Sequence, residues 1–73
     1  MKEIKHITDK KWKEWIEGAT LLFNKDEHYV YLNGDNIIWK NNMVAEIYSY
    51  GEPPSDNIPV WLLFKISEYF KRD

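Results

Sequence analysis

The chain contains no cysteine among its 73 residues, so disulfide bonds and thiolate metal sites are excluded. Long apolar runs are also missing, since the longest, "IPVWLLF", is too short to span a bilayer. The N-terminal stretch "MKEIKHITDKKWKEW" is charged throughout and lacks the apolar core of a secretory leader. We therefore expect one small cytoplasmic domain over residues 1–73, stabilised by burial of four Trp, five Tyr and three Phe.

A basic excess is missing as well, because the formal net charge is −2. Domains that bind nucleic acid usually carry a clear positive charge. Residues 26–64 contain six acids and one lysine, Lys40, which gives this segment a charge of −5. Nine Lys against one Arg, with many Asn and Ile, indicate an AT-rich coding genome of the kind found in low-GC bacteria and their phages. We favour a protein partner over nucleic acid and expect no membrane contact.

The spacing of apolar residues predicts an α+β domain of order α-β-β-β-β-α, with a four-stranded antiparallel meander flanked by an N-terminal and a C-terminal helix. The first helix is predicted over 9–17, because Thr8 is a good N-cap and Gly18 can end the helix in the left-handed conformation. Ile7 and Trp12 stand at the two positions of a hydrophobic staple. This helix carries its apolar residues on one face.

Four segments rich in β-forming residues follow as predicted strands: "TLLFN", "HYVYL", "DNIIWK" and "MVAEIYSY". Asn33–Gly34 and Asn41–Asn42 are predicted as two-residue turns, since Asn and Gly tolerate positive φ. A four-residue loop over Asn33–Asn36 is the alternative to the first turn and gives the same assignment of side chains to faces. After the loop "GEPPSDN", Asn57 is the candidate cap of a second helix, "VWLLFKISEYFKR". A buried strand is the alternative for this dense apolar run.

The predicted turns assign the strand residues to two faces of the sheet, because side chains alternate along a strand. The core face is predicted to hold Leu21, Phe23, Val30, Leu32, Ile37, Trp39, Val44 and Tyr48, with His28 and Glu46 at its margin. The opposite face is mixed, and its middle holds Leu22, Tyr29, Tyr31, Ile38 and Ile47. Antiparallel sheets commonly leave one face wet, but not with so much large apolar surface.

The second helix raises the same question, because its apolar residues form two stripes. One stripe is Pro59, Leu62, Leu63, Ile66, Tyr69 and Phe70, and the other is Val60, Trp61 and Phe64. Either the two helices cover opposite faces of the sheet, or both cover one face and leave the tyrosine face or the second stripe as an interface. The candidate partner-binding residues are Tyr29, Tyr31, Ile38, Lys40, Trp61 and Phe64.

Groups that perform chemistry are few. His28 follows Asp26 and Glu27 at a turn, and two acids with one histidine in a loop are a poor metal-ligand set. Asp35 and Glu46 would need a cleft to act as an acid–base pair. We predict no catalytic residue, no metal site and no cofactor.

A stacking platform for single-stranded nucleic acid is suggested by Tyr29 and Tyr31 on one sheet face with Lys40 nearby. The same segment is acidic and would repel phosphates. This is an alternative rather than the preferred interpretation.

The order helix, Gly18 and strand, followed by "EHYVYL", is similar to that of short phage proteins built as a helix, a glycine and a β-meander. Among these are small sponges that trap nucleotide signals. The resemblance covers part of the chain, which lacks the basic strand and the tryptophan expected in such proteins. The resemblance therefore does not predict that this chain traps nucleotide signals.

The sequence thus predicts a non-enzymatic interaction protein that binds and occludes a macromolecular partner, with an aromatic anchor such as Tyr29, Tyr31 or Trp61. Its small size and AT-rich origin are typical of a phage or mobile-element accessory inhibitor of a host or defence protein. The alternative is a homodimer that binds a small ligand or nucleotide.

Overall fold

The computed structural model describes residues 2–71, which form an α+β fold of five strands and two helices. The elements in chain order are β1 (Lys2–Lys5), α1 (Asp9–Ile16), β2 (Thr20–Lys25), β3 (His28–Asn33), β4 (Asn36–Lys40), β5 (Val44–Ser49) and α2 (Val60–Phe70). The second helix is predicted to extend to Arg72, which lies outside the described residues. The α+β class, both helices and the antiparallel meander β2–β5 are confirmed.

The four-stranded sheet predicted from the sequence is wrong, because β1 adds a fifth strand. The strand order is β1-β5-β4-β3-β2, and every neighbouring pair is antiparallel. The sequence of β1, "KEIK", has one apolar residue and no β-forming pattern of its own. Its conformation depends on pairing with β5, where Ile4 lies opposite Ala45. A strand that forms because of a partner distant in the sequence shows little β-forming pattern in its own residues.

Helix α1 follows its sequence signals closely. The Thr8 side chain accepts a hydrogen bond from the backbone N–H of Lys11 at 3.2 Å, as an N-cap should. Gly18 has a φ of 78°, which glycine adopts without steric cost. Ile7 and Trp12 pack in the same cluster, as the predicted staple requires.

Two-residue turns join β2 to β3 and β3 to β4. Asp26 and Glu27 form the first turn with φ values of 52° and 66°. In the second, Asn33 pairs with Asn36, so the turn is Gly34–Asp35 rather than the predicted Asn33–Gly34. The pairing is shifted by two residues from that of the Asn33–Gly34 turn and equals that of the four-residue alternative, in which Leu32 lies opposite Ile37. Both alternatives give the same face assignment of β3 and β4.

Because β2 contains a β-bulge, Leu21 and Leu22 lie on the opposite faces from those predicted. The β2–β3 register shifts between Leu21 and Phe23, so one extra residue is accommodated in β2. Leu22 consequently packs against the buried residues on the face of the sheet where Leu21 is predicted to lie. Leu21 itself is 48% exposed.

The two helices cover opposite faces of the sheet. The cluster beneath α2, which we call the α2-side core, contains Val30, Ile37, Trp39, Val44, Tyr48, Ile58, Leu62 and Ile66. The cluster beneath α1, the α1-side core, is centred on Trp12, Ile38 and Ala45, with Tyr29, Tyr31 and Ile47 packed against it. The sequence leaves two arrangements open, and the structure has the one in which each face of the sheet is covered by a helix.

The loop between β5 and α2 is held by a buried carboxylate. Glu46 is fully buried, and its Oε2 accepts hydrogen bonds from the Ser55 hydroxyl and, at 3.1 Å, from Asn57 Nδ2. Asn57 Nδ2 also donates to Glu3 on β1. The prediction that Asn57 caps α2 is therefore wrong, since the N-cap is Pro59 and has no side-chain hydrogen bond.

Candidate interaction surface

The outer side of α2 carries a contiguous apolar surface. Val60, Trp61 and Phe64, which we call the α2 outer stripe, are 66%, 39% and 68% exposed. Leu62 and Ile66 lie on the other side of the helix and are buried in the α2-side core. The division follows from helical geometry, because residues four apart share a face.

Trp61 is held in place by the sheet edge beside it. Its ring meets Phe23 at 6.0 Å between centroids and His28 at 5.3 Å, both edge-to-face. Aromatic pairs in this geometry contribute about 0.5–1.5 kcal/mol beyond area burial. One side of the indole is thus fixed while the rest faces solvent. An anchor restrained in this way loses little side-chain entropy on binding.

His28 has a structural position rather than a free one. Its Nδ1 accepts a hydrogen bond of 3.1 Å from the indole N–H of Trp39, and the two rings stack at an interplanar angle of 16°. Trp39 is fully buried, which agrees with its predicted place in the core. His28, which the Trp39 hydrogen bond holds in this position, therefore supports one side of the Trp61 ring.

Charged side chains border the stripe without interrupting it. Lys65 Nζ and Glu68 Oε2 form an exposed ion pair at 3.9 Å, one turn beyond the aromatic residues. Such a pair contributes little to stability, because solvent screens it. The stripe therefore has an apolar centre with a mixed polar rim, which is the usual anatomy of a protein interface.

The predicted tyrosine face lies beneath α1. Tyr31 and Trp12 meet edge-to-face with ring centroids 5.6 Å apart, and both Tyr29 and Tyr31 are half-buried. The Lys40 ammonium lies 4.9 Å from the Trp12 ring centroid and 5.8 Å from that of Tyr29. The aromatic surfaces that would stack on bases are thus in contact with α1 and Lys40.

The six candidate residues therefore fall into two separate groups. Ile38 is only 1% exposed, and with Tyr29, Tyr31 and Lys40 it belongs to the α1 side of the sheet. Ile38 would be available to a partner only in the alternative arrangement, in which α1 leaves this face uncovered, and the structure has the other arrangement. Trp61 and Phe64 lie on the other side of the molecule and form one surface.

Sequence reasoning missed the polar cluster around Glu46. Within residues 2–71, Glu46 Oε1 is buried without a hydrogen-bond partner. Burial, followed by the negative charge of Glu46, raises the pKa of Tyr48 to about 12. The available signal was the position of Glu46 in "VAEIYS", where strand alternation places it on the core face.

Two further findings concern metal-binding groups and the length of the helices. Across residues 2–71, no three His, Asp or Glu side chains are grouped so that they could hold a metal ion. In the same part of the chain, no helix has the length and apolar character needed to cross a membrane. Comparisons with protein-family models, curated proteins and solved structures find no significant match to this chain.

Proposed function

We propose that this chain is a non-enzymatic interaction protein that binds a partner protein through the α2 outer stripe and occludes the surface it covers. The observation that carries the proposal is the contiguous exposure of Val60, Trp61 and Phe64 on one helix face. Exposed apolar patches rimmed by polar residues are typical of interaction sites. The recognition mode is that of an amphipathic helix in a groove, with contact residues at i, i+1 and i+4.

Trp61 and Phe64 are the two anchors in this proposal. Trp and other aromatic residues dominate interface energetics, and Trp61 is already oriented by Phe23 and His28. The partner site would be an apolar groove wide enough for both rings. Binding there sterically blocks the groove, and no chemical step is required.

The biological setting that we propose is a phage or mobile element, for which the chain acts as an accessory inhibitor of a host or defence protein. This part rests on the small size and the AT-rich coding signature of the sequence. A chain without cysteine does not need an oxidising compartment, so we propose the cytoplasm as the place of action.

Affinity capture from the host lysate, followed by titration of the purified partner, tests the proposal. Phe64→Ala should weaken binding by about 30-fold, the effect of losing an interface hot spot of ~2 kcal/mol. The matched control is Met43→Ala, because Met43 and Phe64 are each 68% exposed and Met43 lies outside the stripe. Both variants should keep their stability within ~0.5 kcal/mol.

Equal binding by Phe64→Ala and Met43→Ala would refute the assignment of the stripe. Sedimentation equilibrium of the free protein addresses the homodimer alternative. A dimer that Phe64→Ala dissociates would make a second copy of this chain the partner. A monomer at micromolar concentration would exclude that arrangement.

A further inference from the structure

His28 lies between a buried indole and an exposed one. Its ring stacks on Trp39 with centroids 6.0 Å apart and meets Trp61 edge-to-face at 5.3 Å. Trp39 is fully buried in the α2-side core, whereas Trp61 belongs to the α2 outer stripe. One titratable ring therefore contacts both the core and the surface that we propose to bind a partner.

The hydrogen bond between Trp39 and His28 defines the protonation state of the imidazole. An indole N–H can only donate, so the His28 Nδ1 that accepts from it at 3.1 Å carries no proton. The neutral ring then carries its proton on Nε2. In the imidazolium both ring nitrogens are donors, and the N–H at Nδ1 would point at the indole N–H. The observed contact is therefore available to the neutral ring alone.

Loss of this contact leaves the indole N–H of Trp39 without an acceptor. Among residues 2–71 that N–H donates to no other group, and Trp39 is fully buried. A buried donor without a partner is costly, so the imidazolium and the indole cannot keep their present arrangement. His28 is half-buried and follows the exposed turn residues 26 and 27, so its ring has a route to solvent. Protonation therefore favours a rotamer in which the ring leaves both tryptophans.

Charged neighbours do not hold an imidazolium at the present position of the ring. Across residues 2–71, no carboxylate forms an ion pair with His28. Glu27 Oε2 accepts a hydrogen bond from Asn42, and the residue opposite His28 on β2 is the cation Lys25. The charged side chains on the surrounding elements are Lys25 on β2, Asp26 and Glu27 in the turn, Lys40 on β4, Glu46 on β5, and Lys65 and Glu68 on α2.

We propose that His28 is a positioning residue that makes the α2 outer stripe sensitive to pH: the neutral ring supports Trp61, and the imidazolium releases it. Histidine is the side chain that gains its proton between pH 8 and 5. Phe23 remains as the second support of Trp61. An anchor that is less well oriented loses more entropy on binding, so acidification should weaken the partner. This effect on binding rests on the function proposed above, whereas the release of Trp61 is a property of the free protein.

The test on the free protein is an NMR titration from pH 7.5 to 5.5. It follows the ring protons of His28 and the indole N–H signals of the four tryptophans. The Trp39 indole signal should move upfield, as expected for a lost hydrogen bond, with the same midpoint as the His28 ring protons. Over the same range, the nuclear Overhauser contacts between the rings of His28 and Trp61 should disappear.

Two variants separate His28 from other titrating groups. In His28→Asn, the amide Oδ1 takes the place of Nδ1 as acceptor and does not titrate, so the Trp39 signal should stay hydrogen-bonded and constant over the whole range. His6→Asn is the matched control, because it removes the only other histidine of the chain and should leave the titration as it is in the unaltered protein.

Binding of the partner is then measured at pH 7.5 and 5.5. The unaltered protein and His6→Asn should lose about three- to tenfold in affinity at the lower pH, the effect of one aromatic contact on the anchor. His28→Asn should not show this loss, and any change that remains in it belongs to titration of the partner itself.

Three results on the free protein would overturn the proposal. The His28 ring does not titrate above pH 5.5, or it titrates while the Trp39 signal stays constant, or the Trp39 signal titrates in His28→Asn as it does in the unaltered protein. An equal loss of affinity in His28→Asn and the unaltered protein would refute the effect on the stripe. Absence of any partner would instead refute the proposed function, and the titration of the free protein would still decide whether His28 releases Trp61.

Discussion

Replacing Ile37 and Ile38 by valine, one at a time, tests whether both faces of the sheet are covered. The two residues are neighbours in β4, point to opposite faces and are each 1% exposed. Ile37 lies opposite Tyr48 in the α2-side core, whereas Ile38 lies opposite Ile47 in the α1-side core. Each substitution removes one methylene group and keeps the β-branched shape.

We expect each variant to lose about 0.5–1.5 kcal/mol of unfolding free energy, because a buried methylene contributes ~0.8 kcal/mol and leaves a small cavity when removed. In a domain of this size, ~1 kcal/mol lowers the Tm by about 4–8 °C. Urea denaturation followed by circular dichroism measures the free energy of unfolding, and thermal unfolding followed by the same signal measures the Tm. The slope of the free energy against urea should be unchanged.

The result for Ile38→Val decides the question. If α1 did not cover its face, the substitution would behave as a surface change and stay within ~0.5 kcal/mol. Met43→Ala provides the surface reference, since Met43 is 68% exposed. A loss confined to Ile37→Val would refute the arrangement with helices on both faces.

Three further predictions concern single interactions. Thr8→Ala should cost about 0.5–2 kcal/mol by removing the α1 N-cap, and Thr8→Ser should restore most of it in the same denaturation assay. Lys40→Met keeps the apolar stem but removes the cation near Trp12 and Tyr29, so we expect a loss of about 0.5–2 kcal/mol; no loss would show that the ring contacts are not stabilising. The folded protein binds the Tyr48 proton more tightly than the unfolded chain, so stability should fall as the pH rises from 10 towards about 12, and Tyr48→Phe should flatten this dependence in alkaline urea titrations. An unchanged alkaline slope in Tyr48→Phe would contradict the raised pKa.

Local signals were sufficient for the helices and for the meander. Thr8 and Gly18 define the ends of α1 through their own hydrogen bond and backbone angle. The face assignment of β3 and β4 survived a wrong turn position, because an error of two residues in register leaves the alternation of side chains intact. Features that depend on nearest neighbours in sequence are therefore readable from sequence.

Features that depend on residues distant in the sequence could not be predicted. β1 is a strand because β5 offers it an edge, and "KEIK" alone does not indicate this. The bulge that exchanges Leu21 and Leu22 arises from the fit of β2 to β3, and one inserted position reverses every assignment beyond it. Whether the two helices cover one face of the sheet or both faces depended on the path of the chain. Because β1 and β2 occupy opposite edges, α1 has to cross the sheet between them.

That crossing changes which apolar residues are informative for function. Once both faces of the sheet are covered, the large side chains of β3, β4 and β5 are accounted for by the two cores. Leu21 and Met43 are exposed singly, which is normal for a protein surface. The α2 outer stripe is different, because its three residues adjoin one another and one of them is held at a fixed orientation by the sheet edge. Folding of the monomer does not need Phe64 in this position, so the strongest reason for an aromatic residue there is contact with another molecule.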